Sequence, residues 1–114
     1  MLTIEKLKDY GADVEEGLKR CVNNQAFYLK MVEKAAGDST FEKLLAAMNA
    51  GQLEEAFEAA HALKGVYGNL AIKPLYEPVS ELTEFLRART QMDYSEFITV
   101  LKSQKEKLDQ LLSS

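Results

Sequence analysis

Leu53-Glu54-Glu55-Ala56-Phe57-Glu58-Ala59-Ala60-His61-Ala62-Leu63-Lys64-Gly65-Val66-Tyr67-Gly68-Asn69-Leu70 holds the one histidine of a 114-residue chain and repeats its apolar residues with a helical period. At about 100° of turn per residue, with His61 at zero, Leu53, Ala56, Ala59, Ala60, Leu63, Val66, Tyr67 and Leu70 fall on an arc from roughly 140° to 280°. His61 points almost opposite that arc, towards water. Lys64, Gly65 and Gly68 fall within about 60° of it, because offsets of three, four and seven return to one helical face. The period runs on to about Ile72, where Lys73-Pro74 marks a turn.

Each glycine inside a helix costs about 1 kcal/mol relative to alanine. Here two of them strip side chains from the surface one and two turns beyond an exposed imidazole, and they leave a lysine within reach. Taken singly, each feature is ordinary. A lone helical histidine is usually a surface or core residue, and helical glycines are often packing devices. Together they suit attack of the imidazole on phosphorus, with Lys64 neutralising phosphoryl oxygens and Gly65 and Gly68 giving steric access.

The flanking segments also read as helices. Thr3 to Tyr10 is a short amphipathic stretch stopped by Gly11. Asp13 with Glu16 has capping-box spacing ahead of Val14, Leu18, Cys21 and Val22. Asn23 and Asn24 end that helix and cap the next, Gln25 to Ala36. Ser39 with Glu42 is a second capping box, opening a helix with Phe41, Leu44, Leu45 and Met48 that reaches Ala50. After the histidine helix, Pro74 and Pro78 predict an irregular turn and regular helix from about Glu77, with Val79, Leu82, Phe85 and Leu86 inward. Asp93 with Glu96 is a third capping box, ahead of a last helix from Tyr94 to Leu112. The expectation is an all-α, up-down antiparallel four-helix bundle with short additional N-terminal helices, as one domain over residues 1–114.

Composition narrows the function. Net charge is -4, so there is no global attraction to nucleic-acid phosphate. No apolar run approaches the roughly 18 residues that span a bilayer, and no signal peptide is visible at Met1-Leu2-Thr3-Ile4. A cytoplasmic protein with no membrane or nucleic-acid partner is expected. The single Cys21 fits a reducing compartment and a small core residue. One His and one Cys forty residues apart give no metal cluster, and no glycine loop follows a strand to hold a nucleotide.

Ala60-His61-Ala62-Leu63-Lys64-Gly65, followed by Gly68-Asn69-Leu70, resembles the signature of histidine-containing phosphotransfer (Hpt) domains of bacterial two-component phosphorelays. The likeness runs over nearly the whole chain, through Gly11 to Arg20, a Tyr28-containing helix and the helix after Pro74. It departs from the family where Ala71-Ile72 replaces a frequent second glycine after the Asn-Leu pair. The resemblance implies His61 as phosphoryl acceptor, Lys64 as phosphoryl contact and Gly65 as the residue that keeps the site open. It implies a phosphocarrier that takes phosphate from a phosphoaspartyl receiver domain or a sensor or hybrid histidine kinase and passes it to a response-regulator receiver. Such a carrier has no ATPase activity and no cofactor of its own, with magnesium held by the partner receiver.

Docking needs a surface, and the angular count places Phe57 and Ile72 near the histidine's face. Exposed, they form an apolar rim; Phe57 has an equal claim to partial burial against a neighbouring helix. Glu54 and Glu58 flank the same face as orienters of the imidazole, complements of a basic partner, or solvated charges. The expected partner contacts are Phe57, Glu58, Asn69 and Ile72, on a monomer. The reading from another class is a non-catalytic helical adaptor with an incidental histidine.

Overall fold

A computed structural model describes residues 1–114 as seven helices: α1 (Ile4–Tyr10), α2 (Val14–Arg20), α3 (Gln25–Ala36), α4 (Thr40–Asn49), α5 (Leu53–Asn69), α6 (Lys73–Arg87) and α7 (Ser95–Ser113). There is no strand. The starts of the first three helices follow their capping residues. Thr3, Asp13 and Asn24 each accept a hydrogen bond from the backbone N–H three residues on, which satisfies one of the donors that a helix start leaves orphaned.

The capping boxes expected at Ser39 and Asp93 do not form. Ser39 makes no capping bond. Asp38 acts instead, accepting from the Thr40 N–H at 2.8 Å and the Thr40 hydroxyl at 2.6 Å. These two donors favour the ionised carboxylate and hold it below the usual range. Asp93 accepts from the Ser95 N–H, two residues on, because the helix starts one residue later than the box requires. At Asp13 half of the box forms. Its own N–H, which Glu16 would have accepted, donates to the Ala71 carbonyl at 2.9 Å.

α5 ends at Asn69, three residues before the sequence period suggests. Leu70 is still right-handed, but Ala71 turns left-handed at φ 55°. A non-glycine residue rarely adopts that conformation. α6 starts at Lys73, four residues earlier than expected, with Pro74 in its first turn. A proline is tolerated there because the first N–H groups of a helix have no internal partner. Pro78 sits inside the helix without ending it.

The core follows the apolar faces. Ala56, Ala60, Leu63 and Tyr67 of α5 are buried, as are Leu75, Val79, Leu82 and Leu86 of α6. Their spacing of three and four residues is the stripe that an amphipathic helix buries. α4, α5, α6 and α7 pack in chain order, α3 and α1 close against α7, and α2 packs between α1 and α3. The antiparallel helical bundle is as expected, with α3 as a further long member. Val66, at the edge of the predicted inward arc, is exposed. Burial pushes the Tyr28 phenol up to about 12, so its hydroxyl remains protonated at neutral pH. It donates to the Leu70 carbonyl at 2.8 Å. The turn that follows the histidine helix is thus held from two sides, by α3 and by the start of α2.

Candidate functional site

His61 lies in the middle of α5, exposed, with its buried neighbours Ala60 and Leu63 on the inner face. The imidazole makes no hydrogen bond within the chain. It is oriented by stacking: the Phe57 ring lies one turn earlier, with centroids 5.7 Å apart and planes 23° from parallel. The Arg87 guanidinium of α6 sits 4.9 Å from the centre of that same phenyl ring. Phe57 is therefore half-buried between a histidine and an arginine, and it orients the imidazole in the way considered for Glu54 or Glu58. Aromatic pairs of this kind contribute about 0.5–1.5 kcal/mol beyond area burial.

Lys64 is one turn on and partly exposed. Its Nζ is 3.7 Å from Glu84 Oε2 of α6, and Glu84 Oε1 is in turn 3.4 Å from Arg87 Nε. The lysine is held loosely beside the histidine by a carboxylate that it can leave at little cost.

The two glycines differ. A Cβ on Gly65 would meet nothing within 4 Å. Beside it an open groove of about 490 Å³ is lined by His61, Lys64, Gly65 and Gly68 and by residues of α2 and α6. Gly68 lines the groove but is also a packing position, since a Cβ there would lie 3.0 Å from Cε1 of Tyr76. Gly65→Ala is expected to raise stability by up to about 1 kcal/mol through helix propensity. Gly68→Leu is expected to lower it by about 1–3 kcal/mol through overpacking against Tyr76. Thermal unfolding of the two variants side by side checks the contrast; a Gly68→Leu chain as stable as the parent would show that Tyr76 does not pack there.

Ile72 is a correction. It is fully buried and forms no rim. The angular count that placed it near His61 assumes continued helix, whereas the chain leaves the helix after Asn69 and turns Ile72 into the core. Asn69 is exposed, and its Oδ1 is 3.4 Å from Arg20 Nη1. Glu58 is exposed, in a second groove with Glu54, Glu55 and Arg89 at the other end of α5.

A family model for the Hpt domain matches residues 31–113. The chain belongs to the Hpt domain family. Comparison with curated proteins and with solved structures returned no match. Hpt domains are phosphocarrier modules of two-component phosphorelays that work with histidine kinases and receiver domains. No helix of this Hpt domain is long and apolar enough to cross a membrane.

The surroundings of His61 also contain residues that the sequence did not single out. Arg20, Lys73 and Tyr76 line the histidine's groove, and Glu84 and Arg87 reach Lys64 and Phe57 from α6. Beside Lys64 the groove thus holds two further cations, Arg20 and Lys73. They belong to other helices, and a count along α5 carries no information about them. The spacing of Glu84 from the buried Leu82 and Leu86 does place it on the outer face of α6, but not opposite Lys64.

Proposed function

We propose that this Hpt domain carries phosphate on His61, accepting it from a phosphoaspartyl receiver domain or a histidine kinase and returning it to a receiver. The observation that carries the reading is the exposed imidazole, stacked on Phe57, with open space over Gly65 on one side and the Lys64 ammonium on the other. The unprotonated ring nitrogen supplies the electron pair for the new P–N bond. The P–O bond to the aspartate breaks in line, and its electron pair leaves on the carboxylate. The other ring N–H stays in place or passes to water. Reversal of the same steps loads a second receiver.

Such a transfer is mostly positioning and charge neutralisation. Phe57 fixes the ring, Gly65 leaves the line of attack open, and Lys64 moves from Glu84 to the phosphoryl oxygens. Magnesium belongs to the receiver, and the chain has no ATPase activity of its own. Mixing the purified chain with phosphorylated receiver domains tests the reading. Acid-labile, alkali-stable phosphate on the chain supports it; its absence with every receiver and with a small phosphodonor leaves a helical adaptor with an incidental histidine.

Lys64→Ala is expected to slow transfer roughly tenfold, about 1.4 kcal/mol of barrier, the lower end for a cation contact because the site is open to water. Stability should change by less than about 0.5 kcal/mol, since the side chain makes one loose surface pair. Single-turnover transfer and thermal unfolding measure the two effects; an unchanged rate would remove the lysine from the site.

A further inference from the structure

We propose that the groove beside His61 selects the receiver partner, by binding an acidic side chain at the rim of the receiver's phosphoaspartate pocket through Arg20 and Lys73. The proposal rests on the carrier reading above and assigns its docking surface.

The chain as a whole is acidic, with net charge -4. The groove is not: its lining includes the cations Arg20, Lys64 and Lys73 against the carboxylates of Asp13 and Glu16. Lys64 sits one turn from the histidine and serves the phosphoryl group. The other two stand further along the groove, where a phosphoryl group on His61 does not need them. Both are about half exposed and loosely held. Arg20 donates from Nε to Glu16 at 3.2 Å, and Lys73 Nζ is 3.9 Å from Asp13. Surface pairs of this kind are worth about 0–1 kcal/mol. Beyond its bond to Glu16 and its long contact with Asn69, the Arg20 guanidinium has a terminal nitrogen, Nη2, with no hydrogen bond in the chain. An incoming carboxylate therefore meets two cations already placed and little to displace.

The placement is fixed by the fold. The Asp13 N–H bonded to the Ala71 carbonyl ties the start of α2 to the start of α6, so Arg20 and Lys73 face one groove. The balance of charge also shifts along α5. Three glutamates, Glu54, Glu55 and Glu58, stand against Arg89 in the groove at its first turns, whereas the histidine's groove sets Arg20, Lys64 and Lys73 against Asp13 and Glu16. A receiver with an acidic rim is therefore favoured over the histidine's groove and disfavoured over the other, which sets its orientation. Charge complementarity at an interface acts mainly on encounter and partner choice.

The test uses the full chain and the receiver domain that transfers to it fastest, with phosphoramidate as a donor that needs no docking. In R20E/K73E the KM for phosphorylated receiver is expected to rise about tenfold with kcat changed less than twofold, and the ratio of receiver to phosphoramidate labelling rates to fall about tenfold. K102E/K107E makes the same change of charge on α7, away from the groove, and should leave KM within about twofold. An unchanged KM in R20E/K73E overturns the groove assignment. So does an equal rise in the α7 variant, which would reflect bulk charge, or a fall in kcat with KM constant, which would place the two cations in the chemical step. A parent chain that takes phosphate from neither donor overturns the carrier reading and the groove with it.

Discussion

His61→Gln is expected to abolish acid-labile phosphorylation completely and to leave the melting temperature within about 2–4 °C of the parent, the shift that a fraction of a kcal/mol gives in a domain of this size. The chain has no second histidine to take over the phosphoryl group. The imidazole is exposed and makes no hydrogen bond within the chain, so its removal costs only the stack on Phe57. Glutamine keeps most of the aliphatic contact and the helix propensity. Phosphate labelling with a phosphorylated receiver and with phosphoramidate, followed by acid and alkali treatment, gives the first readout; calorimetry gives the second. Label retained by the variant and lost in acid would move the acceptor to another residue. Lost label with early melting would mean that the histidine holds the fold.

Gly17→Ala is expected to cost about 2–3 kcal/mol of stability, against the direction of helix propensity. Gly17 is buried in α2, and a Cβ built on it would lie 2.5 Å from Cε1 of Tyr28. A side chain that could swing aside would make room, but the Tyr28 ring is fully buried, and its hydroxyl is committed to the Leu70 carbonyl at 2.8 Å. Overpacking a core position costs about 1–3 kcal/mol, and leaving a buried carbonyl unpaired about 1–3 more. The gain from replacing a helical glycine, about 1 kcal/mol, offsets only part of this. A fall in melting temperature of about 10–20 °C follows from the scale of roughly 4–8 °C per kcal/mol for a small domain. Gly65→Ala is the control, the same substitution in a helix with open space around it. A Gly17→Ala chain that melts at or above the parent would show that Tyr28 does not press on α2.

Gly65 and Gly68 show where sequence reading works and where it stops. Periodicity along α5 placed His61, Lys64 and Gly65 on an outer face, and the burial of Ala56, Ala60, Leu63 and Tyr67 agrees with that. Apolar spacing reports which side of a helix meets the core. It does not report which residue of another helix lies across from a given position. Gly68 looked the same as Gly65 in the sequence, and only the placement of Tyr76 separates them. Ile72 failed for a different reason. The left-handed Ala71 ends the helical count, and alanine gives no local warning of that conformation, as glycine would. The capping residues were legible to within a residue or two. Asp38 acts in place of Ser39 because a carboxylate preceding Thr40 can accept from both its N–H and its hydroxyl. Arg20 and Lys73 were not legible at all, since their meeting depends on how α2 docks on the turn after α5.

That docking has a consequence for local opening. α1 and α2 have seven residues each, well short of the roughly 12–15 that a helix needs to persist alone in water. The turn they touch contains a residue in a conformation that costs about 1–2 kcal/mol by itself. The Asp13 to Ala71 bond joins the two pieces. In amide exchange the two should behave as one cooperative unit. The Asp13 amide, bonded to the turn, and the Ile72 amide, bonded to the Tyr67 carbonyl, would open with the same free energy, and the turn after the histidine helix would exchange these amides only when the N-terminal helices let go.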